Sequence, residues 1–155
     1  AMASPLSENA EEALNYELEI NTFGLLRIAR AFTPILEKNG DGALVQLNSV
    51  ASIKNFKELT TYSASKAATY SITQGLKEEL AEKGISVLSV HPGPIATNMA
   101  ETGGMLEIAE PTSVVSEGIV SHLKQGKFHL FPDSMAKEFE GAYASFAENV
   151  VEAAG

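Results

Sequence analysis

The sequence predicts an α/β fold: a parallel sheet of about three strands, flanked by helices. Two observations lead there. Amphipathic segments alternate with short apolar runs in the order helix, strand, helix, strand, helix, strand, helix. Each gap between apolar runs is long enough for the helical crossover that parallel pairing requires. A length of 155 residues suits a single domain spanning 1–155, with a core of its own, and is too short for two ordinary domains.

The elements follow in order. Asn9 to about Lys38 carries a helical pattern, with Asn9 and Glu12 spaced as a capping box and Asn39-Gly40 as the stop. Its apolar stripe is Leu14, Leu18, Leu25, Ile28, Phe32 and Leu36. Ala43 to Asn48 is a buried strand. Thr60 to Lys83 is a second helix, with one stripe of Ala64, Ala68, Ile72, Leu76 and Leu80 and a small-residue face of Ala67, Ser71 and Gly75. Gly84 stops it, and Ile85 to Val90 is the second strand. A loop with three glycines and two prolines runs from His91 to Gly104. Pro111 to Lys124 is a third helix, Lys127 to Phe131 a short third strand, and Asp133 to about Ala153 a final helix. Ala1-Met2-Ala3 reads as a cloning remnant and is left out of these assignments.

Composition narrows the function. Hydrophobic content of 45% and charged content of 20% describe a soluble globular chain. There is no cysteine, so disulfides and thiolate metal sites are excluded and a reducing cytoplasm is the expected setting. The net charge of −9 argues against binding to nucleic acid or anionic membranes. No apolar run approaches a membrane span, and no secretion signal is visible.

The chemistry concentrates around Tyr62-Ser63-Ala64-Ser65-Lys66. Tyr62 and Lys66 are four apart and share a helix face, so the ammonium can approach the phenol. A free tyrosine, with a pKa of about 10, is a poor base at neutral pH, and a neighbouring cation lowers that value. Ser49 ends an apolar run and follows its strand directly, as does His91-Pro92-Gly93, so both lie at the carboxyl edge of the sheet, where open α/β sheets bind ligands. Phenol, cation and hydroxyl together suit proton exchange with an alcohol or carbonyl. Asn21 falls on the core-facing stripe, where an amide needs partners. His91, His122 and His129 are scattered without a metal-ligand spacing, so no metal site is expected.

In this order, Leu18-Glu19-Ile20-Asn21-Thr22-Phe23-Gly24, Asn48-Ser49-Val50-Ala51-Ser52, Tyr62-Ser63-Ala64-Ser65-Lys66-Ala67-Ala68 and Val90-His91-Pro92-Gly93-Pro94-Ile95-Ala96-Thr97 resemble the short-chain dehydrogenase/reductase family, over nearly the whole chain. The resemblance implies a partial Rossmann-like fold and an oxidoreductase of an alcohol or carbonyl substrate using NAD or NADP. It implies Tyr62 as general acid/base, Lys66 as the group that lowers its pKa and holds the cofactor ribose, and Ser49 as the binder of substrate oxygen. Asn21 would hold a water in a proton relay to Lys66, and Pro92, Gly93, Ile95 and Thr97 would line the nicotinamide pocket. Asn48 departs from the second serine of many relatives.

The family's Gly-rich pyrophosphate turn and its later Asn-Asn-Ala-Gly strand end have no counterpart in these residues. The chain therefore reads as the catalytic half, lacking the nucleotide-binding half, and the isolated chain is expected to hold NAD(P) weakly or not at all. An uncovered first strand and the small-residue face of the second helix point to a homodimer or higher oligomer. Two other readings stay open: a non-catalytic truncated relative, acting as a small-molecule-binding or protein-interaction dimer, and a fragment of an ordinary enzyme.

Overall fold

In the computed structural model, which describes residues 2–153, the first helix is one rod with a fault in it. Helix α1 (Ala10–Glu17) runs into a π-helical turn (Leu18–Phe23) and continues as α2 (Gly24–Asn39). The predicted stripe is corrected. The π-turn shifts the phase of α2 against α1, and within α2 the stripe is only partly covered by the rest of the fold. The buried face becomes Ala13, Glu17, Thr22, Leu25 and Ala29, while Ile28 and Phe32 turn outward at 56% and 52% exposure. Asn9 makes no side-chain cap bond, so the predicted capping box does not form.

Three parallel strands follow, β1 (Ala43–Leu47), β2 (Ser86–Val90) and β3 (His129–Leu130), in the order β1-β2-β3. The register pairs Ala43 with Ser86 through Leu47 with Val90, and Ser89 with His129. Strand β3 is shorter than the predicted Lys127 to Phe131. Gly126, in the turn before it, has φ +65°, and Pro132, after Phe131, has no N–H to extend the ladder. Helix α3 (Thr60–Ala81) makes the first crossover and α5 (Thr112–Lys124) the second. The predicted loop after β2 contains a short helix, α4 (Asn98–Thr102), and α6 (Ser134–Phe146) passes into a terminal π-turn (Ala147–Val151).

Alternation along β2 sends Val87 into one core and Leu88 and Val90 into another, as a strand buried on both faces requires. Val87 packs with Leu25, Ala29, Leu44, Tyr70 and Phe128 between the sheet and helices α2 and α3. Leu88 and Val90, with no exposed surface, pack with Leu130, Val115 and Ile119 beneath α5. Each such side chain contributes roughly 1.5–3 kcal/mol by leaving water. A third cluster, Val50, Phe131 and Ala136, closes the carboxyl edge of the sheet. Strand β1 is an edge strand whose Leu47 is 51% exposed. Ala3, set aside in the sequence as a remnant, is instead 4% exposed. Its N–H donates to Thr61 Oγ1 at 3.0 Å and its carbonyl accepts from Thr61 N at 3.2 Å, so Ala3 belongs to the fold. Among the described residues no helix is long and apolar enough to cross a membrane.

Candidate active site

Where β1 ends, Ser49 stays extended (φ −170°, ψ 161°) and caps the 3₁₀ turn Val50–Ser52, its Oγ accepting from Ala51 N at 3.1 Å. The Ser49 hydroxyl lies 3.4 Å from the Pro92 carbonyl, and Val50 N donates to that same carbonyl at 3.1 Å. The turns leaving β1 and β2 are thereby stitched into one ledge at the carboxyl edge, as the strand order requires.

Helix α3 starts beside this ledge. Tyr62 and Lys66 occupy its first two turns, with Lys66 Nζ 5.7 Å from the centre of the Tyr62 ring. The ammonium donates to the Leu47 carbonyl at 2.9 Å, on the last residue of β1. Burial pushes the Lys66 pKa down to about 8. Burial also pushes the Tyr62 phenol up, with a hydrogen bond from Ser49 pulling the other way and the carboxyl of Glu17 adding to the rise. The net direction for the phenol is upward, while Lys66 is itself desolvated and turned to a backbone carbonyl. With its pKa raised, Tyr62 keeps its proton at neutral pH.

Asn21 sits in the π-turn and reaches α3 between these two residues. Its Nδ2 donates to Ser65 Oγ at 3.0 Å, and the Ser65 hydroxyl donates to the Tyr62 carbonyl at 2.8 Å. Thr22, beside it, donates to the Ser65 carbonyl at 3.2 Å. Asn21 thus fixes the helix turn that presents Tyr62 and Lys66, and it touches neither side chain directly.

Pro92 lies on the ledge with Ser49. Gly93 is held by Asp133, whose Oδ2 accepts from Gly93 N at 2.7 Å while Oδ1 accepts from Ala136 N at 3.0 Å as the cap of α6. A Cβ at Gly93 would stand 2.6 Å from Asp133 Oδ1, so only glycine fits. Ile95 forms a parallel bridge with Glu110, pinching residues 94–110 into a closed excursion. Thr97 is exposed and caps α4 through a 3.4 Å bond from Ala100 N. No hydrogen bond among the described residues joins these four to Tyr62 or Lys66.

Three residues gain weight from the structure alone. Asp133, 1% exposed, ties Gly93 to α6; the Pro-Asp-Ser spacing signalled a helix cap and nothing of its second bond. Glu17, 5% exposed, has both carboxyl oxygens buried without a hydrogen-bond partner. Its one signal was its place four residues before Asn21. His91, set aside as scattered, is fully buried under the Ser49 turn.

A sequence model of the family described as short chain dehydrogenase matches residues 1–104. An uncharacterized oxidoreductase of Staphylococcus saprophyticus is 35% identical over 99 residues, covering 64% of this chain and 42% of that protein. Among solved structures, a short chain dehydrogenase from Burkholderia cenocepacia in complex with NADP superimposes with a TM-score of 0.83 at 30% identity, over 96% of this chain and 62% of that one. A short-chain dehydrogenase from Streptomyces avermitilis gives a TM-score of 0.79 at 26% identity, over 98% of this chain and 64% of that one. The chain thus spans less than half of the curated relative and less than two thirds of these solved structures. Its three-stranded parallel sheet is part of a Rossmann-like fold.

Proposed function

The chain belongs to the short-chain dehydrogenase family, and from that membership we propose that it carries the proton-transfer half of an NAD(P)-dependent oxidoreductase acting on a small alcohol or carbonyl compound. The observation that carries this reading is the meeting of the Tyr62 phenol, whose ionisation Ser49 favours, with the Lys66 ammonium at the carboxyl edge of the sheet. In reduction, Ser49 would bind the carbonyl oxygen and Tyr62 would give its proton to that oxygen as charge develops; in oxidation the same proton returns to Tyr62. Asn21, through Ser65, holds the helix turn on which both groups stand.

The donor set suits the nicotinamide end of such a cofactor. One Lys66 hydrogen is given to the Leu47 carbonyl, which leaves two to hold ribose hydroxyls. Pro92, Gly93, Ile95 and Thr97 would form the wall against the ring. When bound, the cofactor supplies or accepts the hydride. No Gly-rich turn leads from a strand into a helix among the described residues, so nothing here matches a pyrophosphate site. A fluorescence titration of NADH or NADPH into this 155-residue chain is therefore expected to give binding weaker than micromolar. Micromolar affinity would overturn that expectation.

We also propose a homodimer. The outward face of the α1–α2 rod carries Tyr16, Ile20, Ile28, Phe32 and Ile35, between 52% and 57% exposed. The neighbouring face of α3 exposes Ala67, Ser71 and Gly75, which would admit a second helix closely. Light scattering at micromolar concentration is expected to give twice the chain mass; a stable monomer would refute it. The oxidoreductase reading itself is tested by following nicotinamide absorbance with small secondary alcohols and ketones, on the longest natural polypeptide that contains these residues. Turnover dependent on Tyr62 is expected, and turnover indifferent to its phenol would sink the reading.

A further inference from the structure

His91 has no exposed surface, and its hydrogen-bond partners dictate which nitrogen holds the proton. The Ser49 carbonyl, 3.2 Å from Nδ1, can only accept, so Nδ1 carries the hydrogen. Ser52 Oγ lies 2.9 Å from the same nitrogen and gives its own hydrogen to the Ser49 carbonyl, so it too accepts from Nδ1. Nε2 is left with a lone pair, and Ser89 Oγ at 2.7 Å donates to it. The Ser89 oxygen in turn accepts from Asn48 Nδ2 at 2.8 Å. The chain of bonds begins on Asn48 and ends on Ser49 and Ser52, so it closes on the turn that presents Ser49.

The ring is also held as an aromatic. It stacks on Phe131 at 5.1 Å between centres with an 18° tilt, and meets Tyr70 edge-on at 4.6 Å. Three donors converge on the Ser49 carbonyl: His91 Nδ1–H, the Ser52 hydroxyl and the Ser52 N–H, the last at 2.9 Å. A carbonyl bound three ways cannot rotate, and the backbone of Ser49 is locked with it.

We propose that His91, as the neutral Nδ1–H tautomer, is the positioning residue of the Ser49 turn: it ties the Ser49 carbonyl and Ser52 to strand β2 and so fixes the direction of the Ser49 hydroxyl. Burial, aided by His129 and Lys66, pushes the His91 pKa down to about 3, which agrees with a ring that never carries two protons near neutrality. The consequence for substrate binding rests on the oxidoreductase reading; the tie to the Ser49 turn is independent of it.

The test uses this chain, labelled with ¹⁵N. Imidazole spectra are expected to show His91 neutral with the proton on Nδ1 throughout pH 5–8. An Nε2–H ring, or titration within that range, overturns the proposal without any variant. His91→Phe keeps the stacking and loses all three ring hydrogen bonds, whereas His91→Gln retains a donor and an acceptor. The Ala51 amide, which donates to Ser49 Oγ, is expected to exchange at least about tenfold faster in H91F and to recover in H91Q, with the Leu88 and Val90 amides of β2 unchanged within about twofold. Unchanged Ala51 exchange in H91F overturns the proposal, and so does equal acceleration across β2, which would mark a purely structural core residue. Failure of the oxidoreductase reading shows instead as turnover that ignores Tyr62, and it leaves these spectra untouched.

Discussion

Tyr62→Phe removes the reaction and keeps the fold. The expected loss in turnover is about 10²–10⁴-fold, the range for deleting a general acid/base. Only the phenolic oxygen is lost, and the side chain that favours its ionisation is Ser49. The ring stays in place, so stability should change by no more than about 1 kcal/mol. Lys66 supplies a pH signature for the same site. Its pKa of about 8 means the ammonium is present below that value and lost above it. Nucleotide KM should therefore rise as pH passes through 8, while Tyr62, pushed upward by burial, keeps its proton across that range. Steady-state kinetics of both proteins from pH 6 to 9 check this. A Tyr62→Phe variant retaining a tenth or more of the turnover would remove Tyr62 from the chemistry.

That result depends on a geometry only partly legible in the sequence. The strands were legible because each is a short apolar run ending in a turn, and Ser49 and Pro92 could be placed at one sheet edge from connectivity alone. Tyr62 and Lys66 needed nothing beyond helical spacing. On the first helix, Ile28 and Phe32 share α2 with buried Leu25 and are exposed all the same, because how far neighbouring elements cover a stripe is not written in its period. The π-turn carries no local signal either, and becomes visible once Asn21 and Thr22 are seen binding the Ser65 turn of α3. Asp133 and His91 were illegible for a different reason. Their partners, Gly93 and Ser49, are 40 and 42 residues away, and a directional bond at that separation leaves no trace in periodicity. The direction of the Tyr62 pKa escaped as well, since desolvation depends on how the chain closes around the phenol and spacing reports only the nearby charge.

Glu17→Gln is the second large effect, and it follows from a buried acid that nothing satisfies. Glu17 is 5% exposed with both oxygens buried and without hydrogen bonds. The Thr61 hydroxyl faces it, its oxygen accepting from Ala3 N–H at 3.0 Å. Burial raises its pKa, with Thr61 opposing, so the folded chain holds the Glu17 proton at pH values where the unfolded chain has released it. The folded state then binds more protons than the unfolded state, and stability falls as pH rises. This contribution is intact below the unfolded carboxyl pKa of about 4.3 and is lost as pH climbs through the raised folded value. Glutamine keeps the shape, cannot ionise, and offers an N–H to Thr61. At pH 7 the variant is expected to be at least about 1 kcal/mol more stable than the native chain, because only the carboxyl must there hold a buried charge or a proton that the unfolded chain has released. At pH 4 the difference should shrink towards zero. Urea unfolding of both chains at the two pH values decides it, with unchanged m and a higher midpoint expected for the variant at pH 7 only. An equal difference at both pH values would mean that the ionisation of Glu17 has no part in the stability of the helix pair that carries Asn21 and Tyr62.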